Sequence, residues 1–313
     1  MKEFQLIAHL TGSAHLTPSV VVGAGDDCAL LDMGLIDRLI LFKTDAIVQG
    51  IHFLPTDSPE QVGHKALARC LSDIAAMAGT PSAALITLGL QDAFDPGYLK
   101  RVYAGINRLA SRYDVGIAGG ETTRSPERFW ISVSLLGWVS KGKAALRSAA
   151  RPGDAIFVTG ELGGSLAGKH LQFEPRLAEA RWLAQQFPLH AMIDVSDGLA
   201  GDLPHILEAS GVGAELLASA IPVSRQARLA AKAPSKAKPA LVAALSDGED
   251  FELLFTLPAD QAVQLLDGWK KQFPHVRLSC IGKITAAKGL VIRDKQGARP
   301  LTLHGYEHFA QSR

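Results

Sequence analysis

The sequence predicts two α/β (α+β) domains in tandem, each a mixed sheet with helices. Two observations carry this. Apolar, β-branched runs alternate with helix-period segments in both halves of the 313-residue chain, as mixed strand-and-helix domains require. At 151–160, "RPGDAIFVTG" restarts that pattern with a turn and a fresh apolar run. The boundary is therefore placed near residue 148, with one domain over 1–148 and a second over 149–313. The length permits two domains of ordinary size, and 47% hydrophobic residues can fill a core in each.

In chain order, the opening "MKEFQLIAHLTGS" mixes charged and apolar residues and predicts a short amphipathic helix rather than a signal peptide. The pattern predicts strands at 38–48, 83–90, 114–120 and 129–140, with helices near 60–78 and 97–113. In the second half it predicts strands at 154–159, 191–195, 213–217, 251–257 and 276–284, and helices at 176–187, 198–210, 224–231 and 259–272. The Ala-, Lys- and Pro-rich stretch "RLAAKAPSKAKPALVAA" (228–244) has no interleaved aromatics. It reads as a solvated loop between helices rather than a patch for a polyanion.

Composition excludes several classes. Lys and Arg number 32 against 31 Asp and Glu, which leaves no electrostatic footprint for nucleic acid. No apolar run reaches the roughly 18 residues of a membrane span, so a cytoplasmic protein is expected. Cys28, Cys70 and Cys280 are far apart. They form no CxxC pair, which argues against a zinc cluster or disulfide framework and for buried free thiols. There is no GxxxxGK[ST] loop, no GxGxxG after the first strand and no HRDxxxxN, so neither a P-loop, nor a Rossmann site, nor a protein kinase is indicated.

The chemistry lies in carboxylates beside small residues. Asp26 and Asp27 follow a glycine turn in "VGAGDDCALLD", Asp45 lies in "LFKTDAIVQGIHF" and Asp73 in "CLSDIAAMAG". Glu121 follows two glycines in "IAGGETTRS", Asp194 and Asp197 bracket Ser196 in "MIDVSDGL", and Glu249 and Asp250 follow Gly248 in "LSDGEDFELLF". Buried like charges repel and are costly unpaired. Lys43, Arg124 and Arg147 are the basic residues within reach of these motifs in sequence. Hard divalent cations with oxygen ligands are the economical way to gather the rest, and Mg²⁺ commonly sits between carboxylates and substrate phosphates. Each motif also has a plain structural reading. "GDD" is a common turn. Lys65, Arg69, Ser72 and Asp73 fall at helical spacing and suit a solvated polar face. Ser196 or Asp197 suits a helix N-cap. "GELGGS" (160–165) is a loop that either cradles an anion or merely turns. The joint occurrence of the acidic motifs favours the functional reading.

Together these motifs resemble the thiamine-monophosphate kinase family, within the superfamily of aminoimidazole ribonucleotide synthetase and selenophosphate synthetase. The carrying segments are "EFQLIAHL", "GAGDDCALL", "KTDAIVQGIHF", "HKALARCLSDIAAMAGTP", "GGETTRS", "RPGDAIFVTG", "IDVSDGLAGDL", "DGEDFELLF" and "GYEHF", spanning residues 3–309. The resemblance implies a two-domain synthetase-like fold, its N-terminal domain giving strands to a sheet or barrel that spans a homodimer. ATP and several Mg²⁺ ions would sit between the domains, with direct phosphoryl transfer from ATP to thiamine monophosphate and no phospho-enzyme. It implies metal ligands at Asp27, Thr44, Asp45, Asp73, Glu121, Asp194 and Asp197. Gly120, Arg147 and Ser196 would contact ATP. His52 would face the substrate phosphate, Glu249 the thiamine moiety, and Tyr306 its ring.

Three features depart from the family pattern. Glu121 stands where Asp is usual and Lys43 where Ser or Thr is usual. In "HLQFEPR" (170–176), Gln172 and Phe173 replace an Arg and a Pro while Arg176 is kept. These leave two alternatives in view: a related ATP-using enzyme acting on another small phosphorylated substrate, or a non-catalytic nucleotide- or thiamine-binding paralogue.

Overall fold

The computed structural model describes residues 3–233, 238–303, 305 and 306. Residues 307–309 of the "GYEHF" motif and 234–237 of the Lys-rich stretch lie outside them. The first half runs α1 (Glu3–Thr11), β1 (Val20–Val22), β2 (Ala29–Leu31), β3 (Arg38–Val48), α2 (Pro59–Ala76), β4 (Thr80–Leu90), α3 (Pro96–Tyr113), β5 (Gly116–Arg124) and β6 (Trp130–Ser140). The second runs β7 (Asp154–Thr159), α4 (Leu177–Gln186), β8 (Ala191–Asp194), α5 (Leu199–Ser210), β9 (Gly213–Leu217), α6 (Arg225–Ala230), α7 (Ala240–Ser246), β10 (Leu253–Pro258), α8 (Ala262–Gln272), β11 (Leu278–Thr285), β12 (Gly289–Asp294) and β13 (Gly297–Pro300).

The strands of the first half form a six-stranded sheet, β1-β2-β3-β6-β4-β5, with β5 parallel to β4 at one edge. Strand alternation sorts its residues. On β3, Leu41 and Ile47 are buried, whereas Phe42, Thr44 and Ala46 are exposed. α2 packs against β3, β4 and β6 on the inner face. The outer face leaves Phe42, Leu85 and Leu136 exposed, and within one chain this sheet is open.

The second sheet has seven strands, β13-β12-β9-β11-β7-β10-β8. Every residue of β7 is buried, because both faces are covered. Phe157 packs with α4 and α8 in a core continuous with that of the first half. Ile156 and Val158 point the other way, into a core with α5, α6 and α7.

All the predicted elements are present, within a few residues. Two expectations are corrected. The end of the 228–244 stretch is not loop: α7 begins there and buries Ala243 and Ala244 in the second core. Cys28 and Cys70 are buried free thiols as expected, but Cys280 is exposed.

Candidate active site

Asp27 precedes β2, Asp73 lies near the end of α2 and Asp194 ends β8. Strand, helix and second sheet thus converge so that one oxygen from each carboxylate lies within 4.8 Å of the others, all three residues buried. Asp27 is 3% exposed, and its Oδ2 is buried without a hydrogen-bond partner. Burial, with the charge of Asp27 next, pushes the Asp194 carboxyl up to about 7. The same two causes push Asp26 up to about 6, and burial drives Asp73 well above the usual carboxylate range. Crowded, desolvated carboxylates resist ionising together. Such perturbed groups in a cleft mark a site of function.

Three cations enter this cluster. Lys43 Nζ lies 2.8 Å from Asp73 Oδ1, because β3 alternation turns Lys43 to the same side as Asp45, toward α2. Arg69 of α2 lies 3.1 Å from Asp45 Oδ2; this is an ion pair by distance whose angle gives no hydrogen bond. Arg147 donates to Asp27 Oδ1 at 2.6 Å, and its backbone N–H donates to Asp26 Oδ2 at 3.1 Å. Ser72 Oγ donates to Asp194 Oδ2 at 2.5 Å. Arg124 is elsewhere, paired with Asp92 on the surface. The polar face of α2 is therefore not solvated. Lys65, Ser72 and Asp73 are all buried, and the spacing 65, 69, 72, 73 was the signal that one side of α2 faces the site.

A second cavity adjoins the acidic one, lined by Ile51, His52, Leu166, Gly248, Glu249 and Tyr306, and the two share Arg69, Ser196, Asp197 and Phe251. Glu249 and Phe251 hold positive φ angles of 65° and 50°, a strained loop of the kind found at binding sites. The Tyr306 backbone N–H donates to Asp197 O at 2.9 Å, which brings the C-terminal stretch against this cavity. The Glu249 carboxyl is held down at about 2: burial opposes this, and hydrogen bonding to His170 with the Lys65 charge outweighs it.

Other expected residues sit apart. Thr44 is on the outer sheet face, its Oγ1 3.5 Å from Ser132 Oγ, so alternation keeps its side chain from the acidic cluster. Glu121 is exposed on edge strand β5, where its Oε1 accepts from the Thr122 N–H. Gly120 has a packing reason to be glycine: a Cβ there would fall 1.8 Å from Ile86 O. Neither Ser196 nor Asp197 caps α5. Its N-cap is Gly198 without a side-chain bond, and the Asp197 N–H donates instead to Asp202. In "GELGGS", the Gly163 and Gly164 N–H groups donate to Asp250 and Asp247, so the loop cradles the protein's own carboxylates. Arg176 and Lys169 are committed to the buried Glu252.

Two family models match the chain: AIR synthase related protein, N-terminal domain, over residues 25–139, and AIR synthase related protein, C-terminal domain, over 151–295. Fold and acidic cleft together thus define a member of the AIR synthase-related class. The chain is 41% identical to the thiamine-monophosphate kinase of Rhodopirellula baltica, over 92% of this chain and 91% of that one. It is 34% identical to that of Bacillus subtilis, over 99% and 100%. The solved structure of AaThiL complexed with AMPPCP and TMP matches with a TM-score of 0.83 at 29% identity, covering 98% of this chain and 97% of that one. Within the class, the chain belongs to the thiamine-monophosphate kinase family.

Proposed function

We infer that this chain is a phosphotransferase that moves the terminal phosphoryl group of ATP to thiamine monophosphate, giving thiamine diphosphate and ADP. The carrying observation is adjacency. The acidic pocket opens directly onto the cavity of Glu249 and Tyr306, and Ser196 and Asp197 line both. An oxygen of the acceptor's phosphate attacks the γ-phosphorus as the bond to the β-phosphate oxygen breaks, so ADP leaves and no enzyme side chain is phosphorylated. Such a transfer asks the protein for positioning and charge neutralisation.

The residues fit divalent cations. Asp27, Asp73 and Asp194 offer convergent hard oxygens, and the buried Asp27 Oδ2, without a hydrogen-bond partner, suits a ligand to a hard cation. Asp27, Asp73 and Asp194, with Asp45 and Asp197 lining the same pocket, are the residues that would hold Mg²⁺. Bound there, such ions supply neutralisation of phosphate charge. Arg147 and Ser196 are assigned to ATP. Glu249 and Tyr306 are assigned to the thiamine moiety and His52 to the acceptor phosphate end. Gly120, Thr44 and Glu121 lie on the outer face or edge strand and are assigned with a second copy of the chain, docked on the face that carries Phe42, Leu85 and Leu136. A homodimer, a domain boundary near 148 and a cytoplasmic location complete the reading. No helix among the described residues is long and apolar enough to cross a membrane.

The test is product formation from ATP, Mg²⁺ and thiamine monophosphate, with unphosphorylated thiamine as control. Thiamine diphosphate is expected from the monophosphate alone. Mg²⁺-dependent ATP binding without that product would move the chain to another acceptor within its superfamily.

A further inference from the structure

We propose that Lys65 is a positioning residue for the acceptor site: its buried ammonium fixes Glu249 and the His52 turn across the interdomain cleft. The inference rests on the transfer reading above. Lys65 is 0% exposed, and an ammonium sealed from water needs every proton bonded. Its Nζ lies 2.5 Å from His52 O, 2.6 Å from Glu249 Oε2 and 2.8 Å from His170 Nδ1. Its partners come from three segments: the turn after β3, the strained loop of Glu249 and the short helical turn over Lys169–Leu171, the last accepting in the tautomer that leaves His170 Nδ1 without a proton.

His170 Nδ1 also lies 3.0 Å from Glu249 Oε2. That nitrogen can accept from Lys65 or donate to Glu249, but not both, and with either choice Oε2 keeps a hydrogen bond from Lys65. Both contacts fall on Oε2, which leaves Oε1 for the substrate. His52 and Glu249 line the same cavity from opposite halves of the chain, so one lysine sets the spacing between the assigned thiamine contact and the assigned phosphate contact. None of its acceptors is a carboxylate of the acidic cluster, and the link to the ATP side runs only through the Glu249 N–H donating to Ser196 O at 2.6 Å, so the effect on ATP is expected to be the smaller one.

The experiment is a double-mutant cycle on the full chain with Lys65→Met, Glu249→Gln and the double variant, reading kcat and KM for thiamine monophosphate and for ATP separately. Lys65→Met alone is expected to lower kcat/KM for thiamine monophosphate by about 10²-fold, chiefly through KM, since it strands a buried carboxylate. The KM for ATP should move less than about threefold. In the Glu249→Gln background, Lys65→Met should add about tenfold or less, because the carboxylate it positions is gone and only the His52 O contact remains. If Lys65→Met alone does not fold, the comparison of Glu249→Gln with the double variant still decides. Equal losses in both backgrounds, parallel rises in both KM values, or an unfolded double variant would overturn the proposal and leave Lys65 a general strut. An inactive wild type would instead overturn the transfer reading beneath it.

Discussion

Two buried charge clusters stand side by side in this molecule and behave oppositely. Among the described residues, the acidic pocket is lined by Asp27, Asp45, Asp73, Asp194 and Asp197 together with Lys43, Arg69 and Arg147. Around Glu252, one carboxylate receives Lys169, both arms of the Arg176 fork and the Thr159 hydroxyl. Burial opposes ionisation in both places. In the first it prevails and lifts Asp194 to about 7. In the second the cations outweigh it, and Glu252 is held at about 2. Burial alone therefore does not mark function. A buried cluster left short of positive charge does, because its balance must arrive with a ligand.

Three substitutions break or sharpen that contrast. The largest effect belongs to Asp194→Asn. It should reduce turnover on the order of 10³-fold, as loss of an ion-holding carboxylate implies. The melting temperature of the ligand-free protein should hold or rise, since one of the crowded charges is gone. A folded variant with full Mg²⁺-dependent activity would contradict the pocket's assignment. Glu252→Gln should do the reverse, leaving the part-buried Lys169 and Arg176 short of a partner and costing about 3 kcal/mol of stability. The sign with pH follows. Glu252 has its folded pKa depressed from the ordinary 4.5 to about 2, so its contribution is present above about 4.5 and is lost as pH falls toward 2. Wild type and Glu252→Gln should therefore converge in stability across that window in denaturant titrations. The smallest effect is expected from Lys43→Thr. Removing the ammonium 2.8 Å from Asp73 uncovers a carboxylate, so the Mg²⁺ concentration for half activity should fall by about tenfold or less. A higher Mg²⁺ requirement would show that Lys43 acts on phosphate rather than as a resident cation.

Much of this was legible in the sequence. Alternating apolar runs located the long strands, and the repeated carboxylates beside small residues pointed to the pocket before any geometry was known. What stayed hidden depended on which side an element shows to its neighbours. Thr44 and Asp45 are adjacent in "KTD", but strand alternation sends them to opposite sheet faces. Glu121 sits beside glycines like the other acids, yet it lies within β5, at the sheet edge. Lys65 at helical spacing looks like a solvent-facing residue until His170 and Glu249, from the other half of the chain, close over it. The motif with the most glycines, "GELGGS", proved to serve Asp247 and Asp250, a pairing no local pattern announces.

If the charge-deficient cluster takes up a ligand and the balanced one does not, ligands should stabilise the molecule through the first alone. The melting temperatures of wild type, Asp194→Asn and Glu252→Gln, each with and without ATP and Mg²⁺ together, decide this. Wild type and Glu252→Gln should both be stabilised by the ligands, the latter from a lower start, while Asp194→Asn begins at or above wild type and gains little. An Asp194→Asn protein that starts low and gains as much as wild type would instead place Asp194 among the structural charges.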